Sequence, residues 1–505
     1  MVRSPIHVQE LVEDIGQYLG QDDLFRCAQI CKSWYEAFAP LLYEHVRHGN
    51  GKDKISLWTG VQRYGCHIRS IAITSSAFPE RSLFGPKLCQ LTTLSLGPCS
   101  TVDHPSLWCA RLRDLIDHNP SIHTFQIHPH DDLTLGLFRE NNILQRMPAL
   151  KNLNIKSDFY PESNSTESNG VFEAVLECGL RLETLSYEVL RRVSFPKTVR
   201  EESRQEMTSE TLDTQLWTGL TLLDIHDRGG CRELELVRRS PNLKCLKARF
   251  HDGYARYGIL QQLIHHYLSG HSSRLEHLEI SCLHGQEAGM ILKQLLEICA
   301  GSSGLKTFCF LQSFVPFTTV NELLSYHAMS LEKVVILNLI STRPVSNDLH
   351  RILTECPRLR HFEISVWRDE TWLQDLVQSP WVCDDLRILH IEVAPRLPSA
   401  TFARPLNGIS SRDDDENHGA LIHRQFWRQI GDLGKLEKLH LDILYSNRAS
   451  TELFSIVDED IEYIAGLQRL EELKIPRGQR FMSATVQESL QQRRPCLHIN
   501  FTLHP

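Results

Sequence analysis

A chain of 505 residues, 41% hydrophobic and 23% charged, is too long for one compact core and too apolar for general disorder. Several domains or one repetitive array remain. Its formal net charge of -8 excludes the basic stripe that nucleic-acid backbones require, so nucleic acid is not an expected partner.

Met1 to Glu10 is mixed and polar, without the apolar segment of an export signal. Beyond it, Val8, Leu11, Val12, Ile15, Tyr18 and Leu19 recur at three- and four-residue steps, which predicts a short helix ended by Gly20. Asp22 or Asp23 suits the N-cap of a second run through Leu24, Cys27, Ile30, Cys31, Trp34 and Phe38, and Pro40 is expected to stop it. Two or three helices this short bury too little apolar surface to stand alone, so their exposed stripe implies a docking partner.

The order Val8-Gln9-Glu10-Leu11-Val12, Ile15, Tyr18-Leu19, Asp23-Leu24, Ile30-Cys31-Lys32-Ser33-Trp34 and Pro40-Leu41-Leu42-Tyr43 resembles the F-box. That segment tethers substrate receptors to the Skp-type adaptor of cullin-RING ubiquitin ligases. It departs from the usual pattern in having Val8-Gln9 for Leu-Pro and Tyr43 for Trp. The resemblance implies that Val8, Leu11, Val12, Ile15, Leu19 and Leu24 meet the adaptor, while Trp34 braces the second helix. The same helices also read as an N-terminal cap that shields a first repeat.

From Ile68 onward one phrase recurs fourteen times: an apolar residue, two others, an apolar residue, one other, an apolar residue. It begins with Ile68-Ile71-Ile73 and Leu91-Leu94-Leu96, continues through Leu275-Leu278-Ile280 and Leu359-Phe362-Ile364, and ends with Leu470-Leu473-Ile475. The last two positions alternate and so face one side of a short parallel strand. Gly258 to Leu268, Met290 to Cys299 and Leu349 to Glu355 read as the crossover helices that parallel strands need. Pro120, Pro148, Pro241 and Pro357 each stand two residues before a phrase and keep helix from running into strand. Cys496 to Phe501 reads as a terminal strand.

This register resembles the leucine-rich repeats of F-box proteins, particularly large, divergent fungal ones. The expected fold is therefore α/β: a leucine-rich-repeat solenoid of about fourteen irregular repeats over residues 49–505, behind a small all-α F-box-like module over residues 1–48. Intervals between phrases run from 23 to 50 residues, above the usual ~20 to 29, so the curve is expected to be irregular. Insertions at Tyr160 to Gly170, Arg191 to Glu210 and Pro395 to Gly419 read as polar loops, the last a solvated loop carrying Asp413 to Glu416.

No phosphate loop, nucleophile elbow or zinc-protease motif is present, so no catalytic residue, cofactor or metal site is expected. His123, His128, His130, Asp131 and Asp132 are metal-ligand types but fit an exposed turn, and Cys27 with Cys31 fits core packing. The 15 Cys are an odd count without C-x-x-C pairs, which suits reduced thiols in the cytoplasm or nucleus. The longest apolar run, Val334 to Ile340, is far short of a membrane span.

Alternation places the residues flanking each central apolar position on the open strand face. In the first five repeats these are neutral. From the sixth they carry charge and histidine, which makes Lys247, His277, Glu279, Lys333, His361, Glu363, His390, Lys438 and His440 the expected target-binding residues. The expected function is a non-catalytic substrate-recognition subunit that links a protein target to a Skp-type adaptor and a cullin-RING ligase. A stand-alone repeat scaffold is the alternative.

Overall fold

Three short helices open the chain and run directly into a parallel sheet. The computed structural model describes residues 9–16, 18–48, 63–73, 88–97, 105–128, 142–157, 167–189, 216–227, 233–250, 274–281, 286–300, 304–311, 318–339, 346–368, 376–395, 412–443, 455–476 and 481–502. It divides into two units, Met1–Leu243 and Lys244–Pro505.

In the first unit, α1 (Gln9–Gly16) ends sooner than expected, in a tight turn where Tyr18 and Leu19 donate backbone hydrogen bonds to Ile15 and Gly16. A Cβ at Gly16 would collide with Leu41 and press on the Phe38 ring, so only glycine lets α1 approach its neighbour this closely. The expected single second helix is two, α2 (Gln21–Ala28) and α3 (Lys32–Tyr43), broken so that both pack on one core. Leu24, Ala28 and Phe38 form that core, with Leu19, Cys27, Trp34 and Leu41 packed around it. Gly20 occupies the α2 N-cap, and Asp22 and Asp23 lie in the first turn instead. Pro40 does not stop α3, which continues to Tyr43. The proline removes one helical hydrogen bond, but Leu41 and Leu42 are held by packing on the core.

No linker separates α3 from the sheet. β1 (His45–His48) follows at once, and the Glu44 carbonyl accepts from both Arg69 and Ser70. Tyr43 stacks on Tyr64 at 5.0 Å, Tyr35 meets Tyr64 edge-on, and Arg63 lies 5.3 Å from the Tyr64 ring. Burial, with the Tyr35 contact, pushes the Tyr64 hydroxyl pKa up to about 12. The helical module is thus cemented onto the first repeat.

The strands of this unit continue as β2 (Ser70–Ile73), β3 (Thr93–Leu96), β4 (Thr124–Ile127), β5 (Asn152–Ser157), β6 (Thr184–Val189) and β7 (Leu222–Asp227), each parallel to the one before. The second unit holds β8 (Cys245–Phe250), β9 (His277–Ser281), β10 (Thr307–Leu311), β11 (Lys333–Leu339), β12 (His361–Arg368), β13 (Ile388–Pro395), β14 (Lys438–Ile443), β15 (Glu472–Pro476) and β16 (His498–Thr502), again parallel in chain order. The fourteen phrases are the strands β2 to β15, and all three apolar positions of every phrase are buried, none more than 5% exposed. The architecture is an open α/β solenoid.

One backbone device repeats through both units. In most phrases the first apolar residue donates to the carbonyl three residues earlier, as Ile122 does to Asn119, Leu359 to Cys356 and Leu470 to Leu467. The next two N–H groups then share a single carbonyl of the preceding repeat: Lys306 and Thr307 both donate to Glu276. Within each unit this sets successive strands to the same register regardless of the interval between them.

Crossover helices lie at Gln286–Ala300 and Ser346–Glu355, as the sequence pattern requires, whereas Gly258 to Leu268 falls outside the described residues. Residues 191–210 also fall outside them, and Glu167–Cys178 turns the end of the first insertion into helix. Asp413 to Glu416 do not form a loop. They lie in the first turns of the helix Arg412–Gly431.

Candidate interaction surfaces

The helical module buries one side of its apolar stripe and leaves another open. Leu11 and Ile15 of α1 are exposed, as are Tyr18, Phe25 of α2 and Ile30 after it. Leu19 is half-buried against the module core. Leu24, at 6% exposure, faces α3 and Phe38, so the outward apolar residue on α2 is its neighbour Phe25. Val8 lies outside the described residues, and Val12 is placed in α1 by its backbone alone. Cys27 packs beside the core, but Cys31 is exposed at the α3 N-cap, with its Sγ 3.1 Å from Ser33 Oγ. The break between α2 and α3 turns it away from the core.

His123 does not gather ligands: its Nδ1 lies 2.9 Å from Thr124 Oγ1, and residues 129–132 fall outside the described residues.

On the second unit the expected residues meet across strands. Register sets His361 opposite Ile388, Glu363 opposite His390, and His390 opposite His440. His390 Nδ1 is 3.0 Å from Glu363 Oε1, and His361 Nε2 is 3.4 Å from Glu363 Oε2. The other His390 nitrogen lies 3.5 Å from Asp442 Oδ2, which also accepts from Lys474 Nζ at 3.0 Å. The chain Glu363, His390, Asp442, Lys474 therefore alternates in sign across four adjacent strands. Hydrogen bonds from His361 and His390 hold the Glu363 carboxyl well below the usual carboxylate range. Burial alone would depress the His390 pKa, but Asp442 and Glu363 on either side outweigh it and raise it to about 9.

Neighbouring residues form smaller groups. Lys438 and His440 lie 3.3 and 3.4 Å from Glu472. His440, edge-on to His390 at 5.4 Å, has a lowered pKa, chiefly through burial. Glu279 is bound by Arg249 at 2.9 Å and approached by Lys247 at 3.9 Å, while His277 Nδ1 lies 2.8 Å from Thr307 Oγ1. Lys333 joins none of these clusters. Between them Cys309 and Val335, also on the open face, are buried, and burial pushes the Cys309 thiol up to about 11.

Asp442 and Lys474 were not among the residues expected to form this site. Asp442 lies two residues beyond His440 in the same alternation, past the end of the apolar phrase, so extending the period by one step would have found it. A second ladder lies just before the strands, where Lys151 pairs with Glu183, Lys306 with Glu276 and Arg360 with Glu332.

Residues 9–48 match the F-box-like family. These are the residues of α1, α2, α3 and β1. No curated protein matches the chain. Among solved structures, a chain in the crystal structure of the Rad7 and Elc1 complex in yeast is 13% identical, with a TM-score of 0.38, over 81% of this chain and 93% of that one. No described helix is long and apolar enough to cross a membrane.

Proposed function

We propose that the chain is the substrate-recognition subunit of an SCF-type cullin-RING ubiquitin ligase, of the divergent fungal leucine-rich-repeat kind. The F-box-like module binds a Skp-type adaptor, and the open strand face of the repeats binds a protein target in the cytoplasm or nucleus. The protein itself performs no chemistry. It raises the effective concentration of target lysines near a recruited enzyme.

The observation that carries this reading is the coincidence of the F-box-like match with a folded three-helix module that still exposes Leu11, Ile15, Phe25 and Ile30. Apolar side chains clustered on a surface are kept from water only by a partner. The test is co-purification of the full chain with a Skp-type adaptor. Leu11→Asp with Ile15→Asp is expected to abolish recovery without altering the unfolding midpoint, because neither side chain is in the module core. Undiminished recovery would remove the ligase reading.

A stand-alone scaffold is favoured by one feature, the Tyr43–Tyr64 stack and the direct entry of α3 into β1, which suit an end cap for the repeats. The same experiment separates the two, since a cap alone predicts no adaptor in the wild-type purification.

A further inference from the structure

Ser365 and Glu392 are neighbours in the β12–β13 register, one step along from the Glu363 and His390 pair. Alternation along β12 puts Ser365 on the same face as His361 and Glu363, since Phe362 and Ile364 between them are core residues. Ser365 is 1% exposed, yet its hydroxyl has no hydrogen-bond partner. Such a group is costly to leave unsatisfied, and a native orphan of this kind marks a place where a partner arrives. Glu392, half-buried beside it, takes part in no ion pair among the described residues. On its other side the register places Asp442.

Among the described residues, the Glu363 and Asp442 carboxylates are engaged by His390 and Lys474, whereas the Glu392 carboxylate between them has no cation paired with it. Among the described residues no group of His, Cys, Asp and Glu is arranged to hold a metal ion. The missing element is a single positive charge that also brings a spare N–H for a hydroxyl in a narrow position. A planar guanidinium supplies both, with donors enough to pair with a carboxylate and reach a second acceptor.

We infer that Ser365 and Glu392, framed by Glu363 and Asp442 on β12 to β14, form a site for one arginine side chain of a bound protein. The guanidinium pairs with the Glu392 carboxylate and donates to Ser365 Oγ. This deepens the reading of the second unit's strand face as the target-binding surface, and rests on it.

The test uses the full chain on an array of immobilised Gly/Ser decapeptides whose central residue is Arg, Lys, citrulline or Glu. Retention by the Arg peptide is expected to exceed that of the citrulline and Glu peptides roughly tenfold, and that of the Lys peptide severalfold. Glu392→Gln should abolish the preference for Arg, and Ser365→Ala should reduce Arg to the level of Lys. Arg424→Ala, in the helix Arg412–Gly431 and outside the strand face, should change neither. Equal retention of Arg and Lys, unaltered by Ser365→Ala, assigns binding to the chain's general negative charge and overturns the site. So does an Arg preference that survives Glu392→Gln. The Leu11→Asp, Ile15→Asp variant is run on the same array: if it keeps the Arg preference while the wild type fails to recover adaptor, the ligase reading falls and the site stands. Adaptor recovery without any Arg preference leaves the ligase reading in place and overturns the site.

Discussion

The strand faces of the two units are built on the same backbone frame and tied mainly by different chemistry, with the Lys156–Glu188 pair at 3.7 Å an ionic exception in the first. In the first unit, Ser95 reaches Gln126 at 3.4 Å, Asn152 donates to Thr124 at 3.1 Å, and Thr184 donates to Asn152 at 2.8 Å. On the same face of the second unit stand Glu363, His390, Asp442 and Lys474, joined as ions. The helix-to-strand junctions also differ, by an amide in one unit and a neutral imidazole in the other. Buried Asn119 accepts from the Leu91 N–H and donates to the Leu88 and Leu115 carbonyls, whereas buried His327 accepts from the Leu305 N–H and lies 2.9 Å from the Leu296 carbonyl. Amides and hydroxyls fill the cross-strand positions with no net field. Ions do so with a field whose direction matters to a partner. Most of that field is cancelled within the second unit, so discrimination falls to the few charges left over.

If the difference is confined to faces and junctions, the cores must respond alike. Leu185→Asp and Leu278→Asp each place an unpaired charge at a 0% exposed strand centre. Both are expected to cost more than about 4 kcal/mol. Hydrogen-exchange protection should fail first at the adjacent strands, around Leu153 and Leu223 in one case and Leu246 and Phe308 in the other. A large loss in one unit only would break the comparison at its base. The junctions should then separate by pH. Asn119→Ala and His327→Ala each orphan buried backbone groups and should cost about 2–3 kcal/mol at pH 7. His327 is needed neutral, because Nδ1 accepts a hydrogen bond, and burial lowers its pKa to about 4. With an unfolded value near 6.5, its contribution is whole above about pH 6.5 and is lost as pH falls toward 4. Urea denaturation at pH 7 and pH 5 should show the His327→Ala penalty shrinking and the Asn119→Ala penalty constant.

The strands β2 to β15 were legible because each must bury the same three side chains, and burial writes itself into sequence as a fixed spacing. β1 was not: among its four residues, His45 to His48, only Val46 is apolar, and it is held by pairing with β2 instead. Helix faces were read less well than strand faces. A 3.6-residue period places Leu24 and Phe25 on adjoining sectors, and only the position of α3 decides that Leu24 is inside and Phe25 outside. For the charged face, alternation names the residues that point outward, but not their partners. Glu363 and His390 are 27 residues apart, and Lys474 is 32 from Asp442. Those pairings follow from the register, which the shared backbone hydrogen bonds set across insertions of unequal length.

The finest contrast is between one ionic tie and one neutral tie. Glu363→Gln removes the carboxylate that His390 and His361 share, and should cost about 2 kcal/mol at pH 7, the range of a charge-assisted hydrogen bond. His390, raised to about 9 in the folded chain, contributes stability that is fully present below about pH 6.5 and disappears as pH rises through 9. Glu363, whose pKa is depressed, contributes stability that is present above the ordinary carboxylate range and is lost as pH falls through its folded value. The penalty for Glu363→Gln should therefore be greatest between the ordinary carboxylate range and about pH 6.5 and fall on both sides. Thr184→Val removes the donor to Asn152 Oδ1 at a half-buried position where water can substitute, so about 1 kcal/mol is expected. No group in that tie titrates between pH 5 and pH 9, so its penalty should be flat across this range and unaltered by 1 M salt, which screens ions but not amides. A Thr184→Val penalty that follows pH as the Glu363→Gln penalty does would mean that the two faces are not tied by different chemistry after all.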